Sequence, residues 1–166
     1  MTAPAVPADL IPADIQPVEP SYRNALRARA AMFWVPLFVV ALVVNATVLA
    51  STAFSGVLPA VIGLIGLSGI TVAPNRVYKR LGYALDDRLL RTVRGWLFHT
   101  DTVVPFVRVQ HIDVTRGPFD KLFGTATLVV HTAGTHNSIV TLPGLSPERA
   151  AEIREAIRSE IRADAE

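Results

Sequence analysis

Four regimes of polar and apolar positions follow one another along the chain. Residues 1–20 mix prolines with acids, and residues 30–75 contain no Asp, Glu, Lys or Arg. Residues 76–145 interleave short apolar runs with turn residues, and the final stretch sets Ile153, Ile157 and Ile161 at steps of four. The uncharged regime organises the rest. A hydrocarbon core about 30 Å thick takes roughly 20 helical residues to cross, so this stretch holds two crossings. Residues 31–50 and 57–73 make the two spans, and the small, polar segment 51–56 makes the turn between them. The expectation is a two-helix transmembrane hairpin over residues 21–75. A soluble core helix is seldom apolar on every side for that length. A signal peptide has one apolar core of about 7–15 residues near the N-terminus and no second span.

The flanks orient the hairpin. Arg23, Arg27 and Arg29 precede the first span, Arg76, Lys79 and Arg80 follow the second, and the turn carries no charge. Short basic flanks stay on the cytoplasmic side, which predicts both termini in the cytoplasm and the turn outside. Prolines at 4, 7, 12, 17 and 20 stop helix and sheet from propagating, so residues 1–20 are expected to be a disordered Pro-rich cytoplasmic tail. Within the first span, Pro36 is a site for a mild kink. Asn45 needs a polar partner, either a helix–helix hydrogen bond or a ligand. Gly63, Gly66 and Gly69 form a stripe of small residues that lets a neighbouring helix come close. The first span is the expected neighbour; a second copy, giving a homo-oligomer, is the alternative. Neither span carries an ionisable group, which disfavours a channel or a proton-coupled transporter.

Beyond the spans the period changes. Residues 80–85, 89–94, 102–106, 107–115, 125–132 and 138–142 read as strands, with residues 96–99 a further short run. Asp86-Asp87-Arg88, Gly95, Arg116-Gly117-Pro118, Gly124 and residues 133–137 supply the turns. Residues 107–115 alternate, yet neither face is purely apolar. Val107, Val109, His111, Asp113 and Thr115 fall on one side, and Arg108, Gln110, Ile112 and Val114 on the other. Ser146, Pro147 and Glu148 then open a helix with a capping hydroxyl, a proline at the first position and an acid near the positive end of the dipole. The isoleucine stripe makes that helix amphipathic. Short strands closed by one such helix follow the order of a pleckstrin-homology-like (PH-like) barrel. Residues 76–166 are therefore expected to form a cytoplasmic PH-like domain, and the whole chain an α+β membrane protein.

Composition narrows the function classes. The chain is 51% hydrophobic with a mean hydropathy of +0.38, and the excess sits in the hairpin. A pI near 9.4 alongside a net charge of +2 reports basic flanks against a membrane, with acidic stretches at both ends, and not a nucleic-acid surface. The absence of cysteine excludes disulfides, thiolate chemistry and Cys-ligated zinc. His99, His111, His131 and His136 lack metal-ligand spacing, and no nucleophile elbow surrounds Ser138, Ser146 or Ser159. Turn chemistry explains Asp86-Asp87 better than acid–base catalysis does. The sequence therefore predicts no catalytic residue, no metal, no cofactor and no enzyme.

Several strings together resemble a known family. They are Tyr83-Ala84-Leu85-Asp86-Asp87-Arg88-Leu89-Leu90, Gly95, Val104-Pro105-Phe106-Val107-Arg108-Val109-Gln110-His111-Ile112 and Gly117-Pro118-Phe119-Asp120-Lys121-Leu122-Phe123-Gly124-Thr125-Ala126-Thr127-Leu128. They resemble the bacterial PH-like (bPH2) domain of YdbS-like membrane proteins, and the hairpin ahead matches that layout, over residues 22–163 in all. The resemblance implies a PH-like fold on the cytoplasmic side of a bacterial inner membrane, with no settled ligand or reaction.

The motif residues carry expectations of their own. Gly117 and Gly124 should take φ values closed to other residues, Pro118 should stiffen the bend between strands, Pro105 is a structural motif residue beside them, and Leu122 and Phe123 should plug the barrel. Arg108 and Gln110 either satisfy buried loop carbonyls or meet an anionic partner. Arg88, Arg91 and Arg94 form a second contact set near the membrane exit. The function expected is a membrane-anchored binding or scaffold module that acts with a membrane protein of its own family, in envelope homeostasis or stress resistance. The alternative is a peripheral sensor of anionic lipid headgroups working through the membrane-proximal arginines.

Overall fold

A computed structural model describes residues 15–86, 88–95, 99–133 and 139–163. Helix α1 (Pro20–Val44) continues through a wider π turn (Asn45–Leu49), and α2 (Val57–Lys79) returns beside it. Both are long and apolar enough to cross a membrane. Met32, Phe33, Leu64 and Leu67 stand exposed on their outer faces, as side chains meant for lipid would. The seam between the helices depends on small residues, as expected. Phe38 lies over Gly63 and Trp34 over Gly66 and Gly69; a Cβ at Gly69 would fall 2.6 Å from Trp34 Nε1. At the far end, Asn45 Oδ1 accepts the Gly56 N–H at 2.7 Å and ties the turn to the first helix.

Two antiparallel sheets make the domain. In the first, β1 (Gln16–Pro17), β2 (Gly82–Leu85), β3 (Leu89–Arg94) and β4 (Thr100–Pro105) lie in chain order. In the second, β5 (Val109–Thr115), β6 (Ala126–Thr132) and β7 (Ile139–Leu145) do the same. A short helix α3 (Pro118–Phe123) joins β5 to β6, and α4 (Pro147–Ala163) closes the fold. Ser146 Oγ accepts the Arg149 N–H at 3.1 Å, which is the expected cap. Ile153 and Ile157 are fully buried in one core with Leu90, Leu128, Leu142 and Leu145. Each such side chain stabilises the fold by roughly 1.5–3 kcal/mol over its exposed state.

The structure alters several expectations. The tail does not extend through residue 20: Gln16 and Pro17 pair with Tyr83 and Gly82, and Val18 is buried. Proline is admissible there because β1 is an edge strand. Residues 1–14 of the expected tail, residues 96–98 and residues 134–137 of the expected turn lie outside the described residues. Helix α1 starts at Pro20, ahead of the uncharged stretch, and its first turns put Tyr22 and Ala25 into the domain core. A boundary at residue 76 therefore does not divide the packing.

Further along, residues 106–108 form a 3₁₀ turn in place of strand, and the β5–β6 register shifts between Val109 and His111. That bulge at Gln110 explains the mixed alternation. Val109 packs on the core before it, and Ile112 and Val114 pack there after it. Leu122 does not plug the barrel: on α3, Phe119 and Phe123 share the inward face and Leu122 is 73% exposed. Gly117 has φ −74°, open to any residue, whereas Gly124 has φ +67° as expected.

Candidate contact residues and the joint to the hairpin

The three arginines of the membrane-exit set do not converge. Arg91 Nε donates to both oxygens of Asp101, at 2.9 and 3.1 Å. That hydrogen bond holds the Asp101 carboxyl below the usual carboxylate range and raises the Arg91 guanidinium further. Arg94 Nη1 reaches Thr141 Oγ1 at 3.2 Å and so links β3 to β7 in the other sheet. Arg88 is exposed, and its carbonyl accepts the Phe106 N–H at 3.0 Å.

Arg108 and Gln110 are brought together on the surface. Both are exposed, beside Val107, which is 78% exposed. The 3₁₀ turn turns Val107 away from the core, and the bulge does the same for Gln110. Pro105 at φ −67° ends β4 and leads into the buried Phe106, which anchors this turn. The Arg108 carbonyl accepts the Ala133 N–H at 2.8 Å, which ties this turn to the end of β6. Gln110 and His111 also line a groove of about 250 Å³ against Arg158 and Arg162 of α4. Nearby, Asp113 lies 2.8 Å from His111 Nε2 and 3.5 Å from His131 Nε2. Among the described residues, no three His, Asp or Glu side chains are grouped to hold a metal ion.

A buried polar residue with several partners is one that sequence reasoning passed over. Asp120, 4% exposed, accepts from Gly117 N–H at 3.0 Å, from Thr125 Oγ1 at 2.9 Å and from Arg29 Nη2 at 3.2 Å. Arg29 comes from α1 and also lies 5.9 Å from the Phe119 ring centre. The Glu19 N–H donates to the Gly144 carbonyl at 2.8 Å. Gly144 has φ +81°, and a Cβ there would fall 2.6 Å from Tyr22 Cγ, so only glycine lets α1 approach β7. Arg149 works in parallel, donating to Tyr83 Oη at 3.0 Å and to Gln16 Oε1 at 3.2 Å. Hydrogen bonds to Tyr83 and Glu152 raise its pKa. One signal was legible: Gly117-Pro118-Phe119-Asp120 is a helix start, with proline at the first position and an acid at the third.

Comparison with known proteins agrees with this architecture. The family described as Bacterial PH domain matches residues 30–161. The chain is 35% identical over 103 residues to the UPF0699 transmembrane protein YdbS of Bacillus subtilis (strain 168). That alignment covers 62% of this chain and 63% of the relative's length. No solved structure matches the chain. Two apolar helices leading into two antiparallel sheets and a terminal helix, with the family match running across all of them, make this chain a YdbS-like membrane protein of the bacterial PH domain family.

Proposed function

We propose that the chain is a docking module, held at a bacterial inner membrane with both termini cytoplasmic. It presents its PH-like domain to a membrane protein of its own family and serves envelope homeostasis or stress resistance without catalysing a reaction. The observation that carries this reading is the exposed patch of Val107, Arg108 and Gln110 on a domain fixed to its hairpin. An apolar side chain 78% exposed beside a cation and an amide suits a protein partner. Arg91 and Arg94, by contrast, are engaged inside the domain, which leaves less of the membrane-exit set for headgroups.

A photo-crosslinking residue at Val107 of the full chain, activated in native membranes, tests this. The expected product is a crosslink to one membrane protein, unchanged when Arg88, Arg91 and Arg94 are all replaced by Gln. Crosslinking to lipid alone, abolished by the triple change, would establish the headgroup-sensor reading instead.

A further inference from the structure

The seam between α1 and α2 continues past the spans toward the domain and ends in two arginines. Arg23 and Arg27 are one helical turn apart. Arg27 Nη2 donates to Asn75 Oδ1 of α2 at 3.1 Å, and the Arg23 guanidinium lies 5.9 Å from the centre of the Tyr78 ring. Among the described residues, no carboxylate lies within ion-pair range of either. The Nε atoms of both are buried and have no hydrogen-bond partner. Both residues are only half-buried overall, and a phosphate is the ligand whose geometry matches a guanidinium with no carboxylate beside it.

Arg29 is the contrast. It sits on the other side of the same helix and is satisfied by Asp120. Further up the seam, Trp34, Val35 and Phe38 face Ile62, Gly63 and Gly66 across an apolar groove of about 300 Å³. At a rise of 1.5 Å per residue, Arg27 lies about 12 Å along α1 from Val35.

We infer that this seam is a binding site for one anionic phospholipid, its phosphate held by Arg23 and Arg27 and an acyl chain lying in the groove beside Trp34. The two halves argue for one occupant. Free phosphate has no use for the groove, and a hydrocarbon without a phosphate leaves the arginines unmatched. The inference stands apart from the docking patch, which lies on the domain.

Trp34 makes the site measurable. In the Trp96→Phe background it is the sole tryptophan of the full chain. The protein is placed in phosphatidylcholine nanodiscs containing a few mole per cent of acyl-brominated phosphatidylglycerol or, separately, of acyl-brominated phosphatidylcholine. Quenching of Trp34 should favour the anionic lipid by roughly twenty-fivefold, about fivefold for each arginine. Arg23→Gln with Arg27→Gln should abolish that preference. Asn75→Asp, which sets a competing carboxylate on Arg27, should reduce it strongly with both arginines present, and it carries the test if the double variant fails to fold. Arg76→Gln with Lys79→Gln removes the same charge from the same membrane surface and should leave the preference largely intact. Equal quenching by the two lipids overturns the site. So does an equal loss in the Arg76/Lys79 control, which would report diffuse surface attraction. If inorganic phosphate at constant ionic strength removes the preference, the site takes phosphate alone and the lipid assignment fails.

Discussion

Replacing Asp120 by Ala should be among the most damaging polar substitutions in the chain, and the structure says by how much. Its carboxylate is the acceptor for the Gly117 N–H, the Thr125 hydroxyl and the Arg29 guanidinium. Thr125 is fully buried, so water cannot take the place of the lost acceptor. Each buried donor left without a partner costs about 1–3 kcal/mol. Arg29 contributes less, because its side chain is 41% exposed and an ion pair open to water is worth about 1 kcal/mol at most. The expected loss for Asp120→Ala is therefore about 3–5 kcal/mol, against about 1 kcal/mol for Arg29→Gln. Asp120→Asn should fall between them, since its amide keeps an acceptor for one donor and turns an N–H toward another. The assay is the melting temperature of the full chain in mild detergent, with denaturant titration of the same variants. An Asp120→Ala protein within about 1 kcal/mol of the parent, or an Arg29→Gln protein as unstable as Asp120→Ala, would refute this ordering.

Four further expectations are simpler to check. Reporter fusions at Gly56 should read as extracytoplasmic and fusions after Glu166 as cytoplasmic; a cytoplasmic signal at Gly56 would end the proposed orientation. Gly124→Val should cost about 1–3 kcal/mol from backbone strain alone, since φ is +67° and a Cβ there meets nothing within 4 Å. Gly144→Ala should cost more in the same melts, because the strain at φ +81° is joined by collision with the buried Tyr22 ring. Asp101 has a lower pKa folded than unfolded, so its pairing with Arg91 stabilises the fold above the unfolded value near 3.9 and fades as pH falls through the folded one. Asp101→Asn should melt below the parent at pH 7, and the gap should close in acid.

What the sequence disclosed depended on how far each element's cause extends along the chain. The hairpin and α4 were legible because their signals are local and repeated: a long uncharged run in one, isoleucines at steps of four in the other. β1 has only two residues and exists because Gly82 and Tyr83, far along the chain, offer an unpaired edge. The inward turn of Tyr22 and Ala25 has the same kind of cause, since the residues that cover them belong to the domain. At Gln110 the alternation was visible and its irregularity noticed, but only the register shows that one bulged residue reconciles the two halves. Asp120 was passed over because α3 is six residues long, too short to reveal a period, although its proline-and-acid start was present. The arginines were found as residues and misjudged as a set, because sequence spacing cannot show that Asp101 and Thr141 each claim one.

The chain enters the domain on both sides of its hairpin. β1 and the first turns of α1 dock before the first span, and Arg80 and Leu81 alone separate α2 from β2 after the second. A single tether would let the domain swivel against the membrane; two attachment points with so little slack remove that freedom. The patch at Val107 then sweeps a plane at a set height and tilt, and under the proposed docking role a partner anchored in the same bilayer would meet it by lateral diffusion alone. Much of the rotational and translational entropy that two free proteins lose on association would in this way be surrendered once, when the chain folds into the membrane. Even a small contact surface can then support a long-lived pairing.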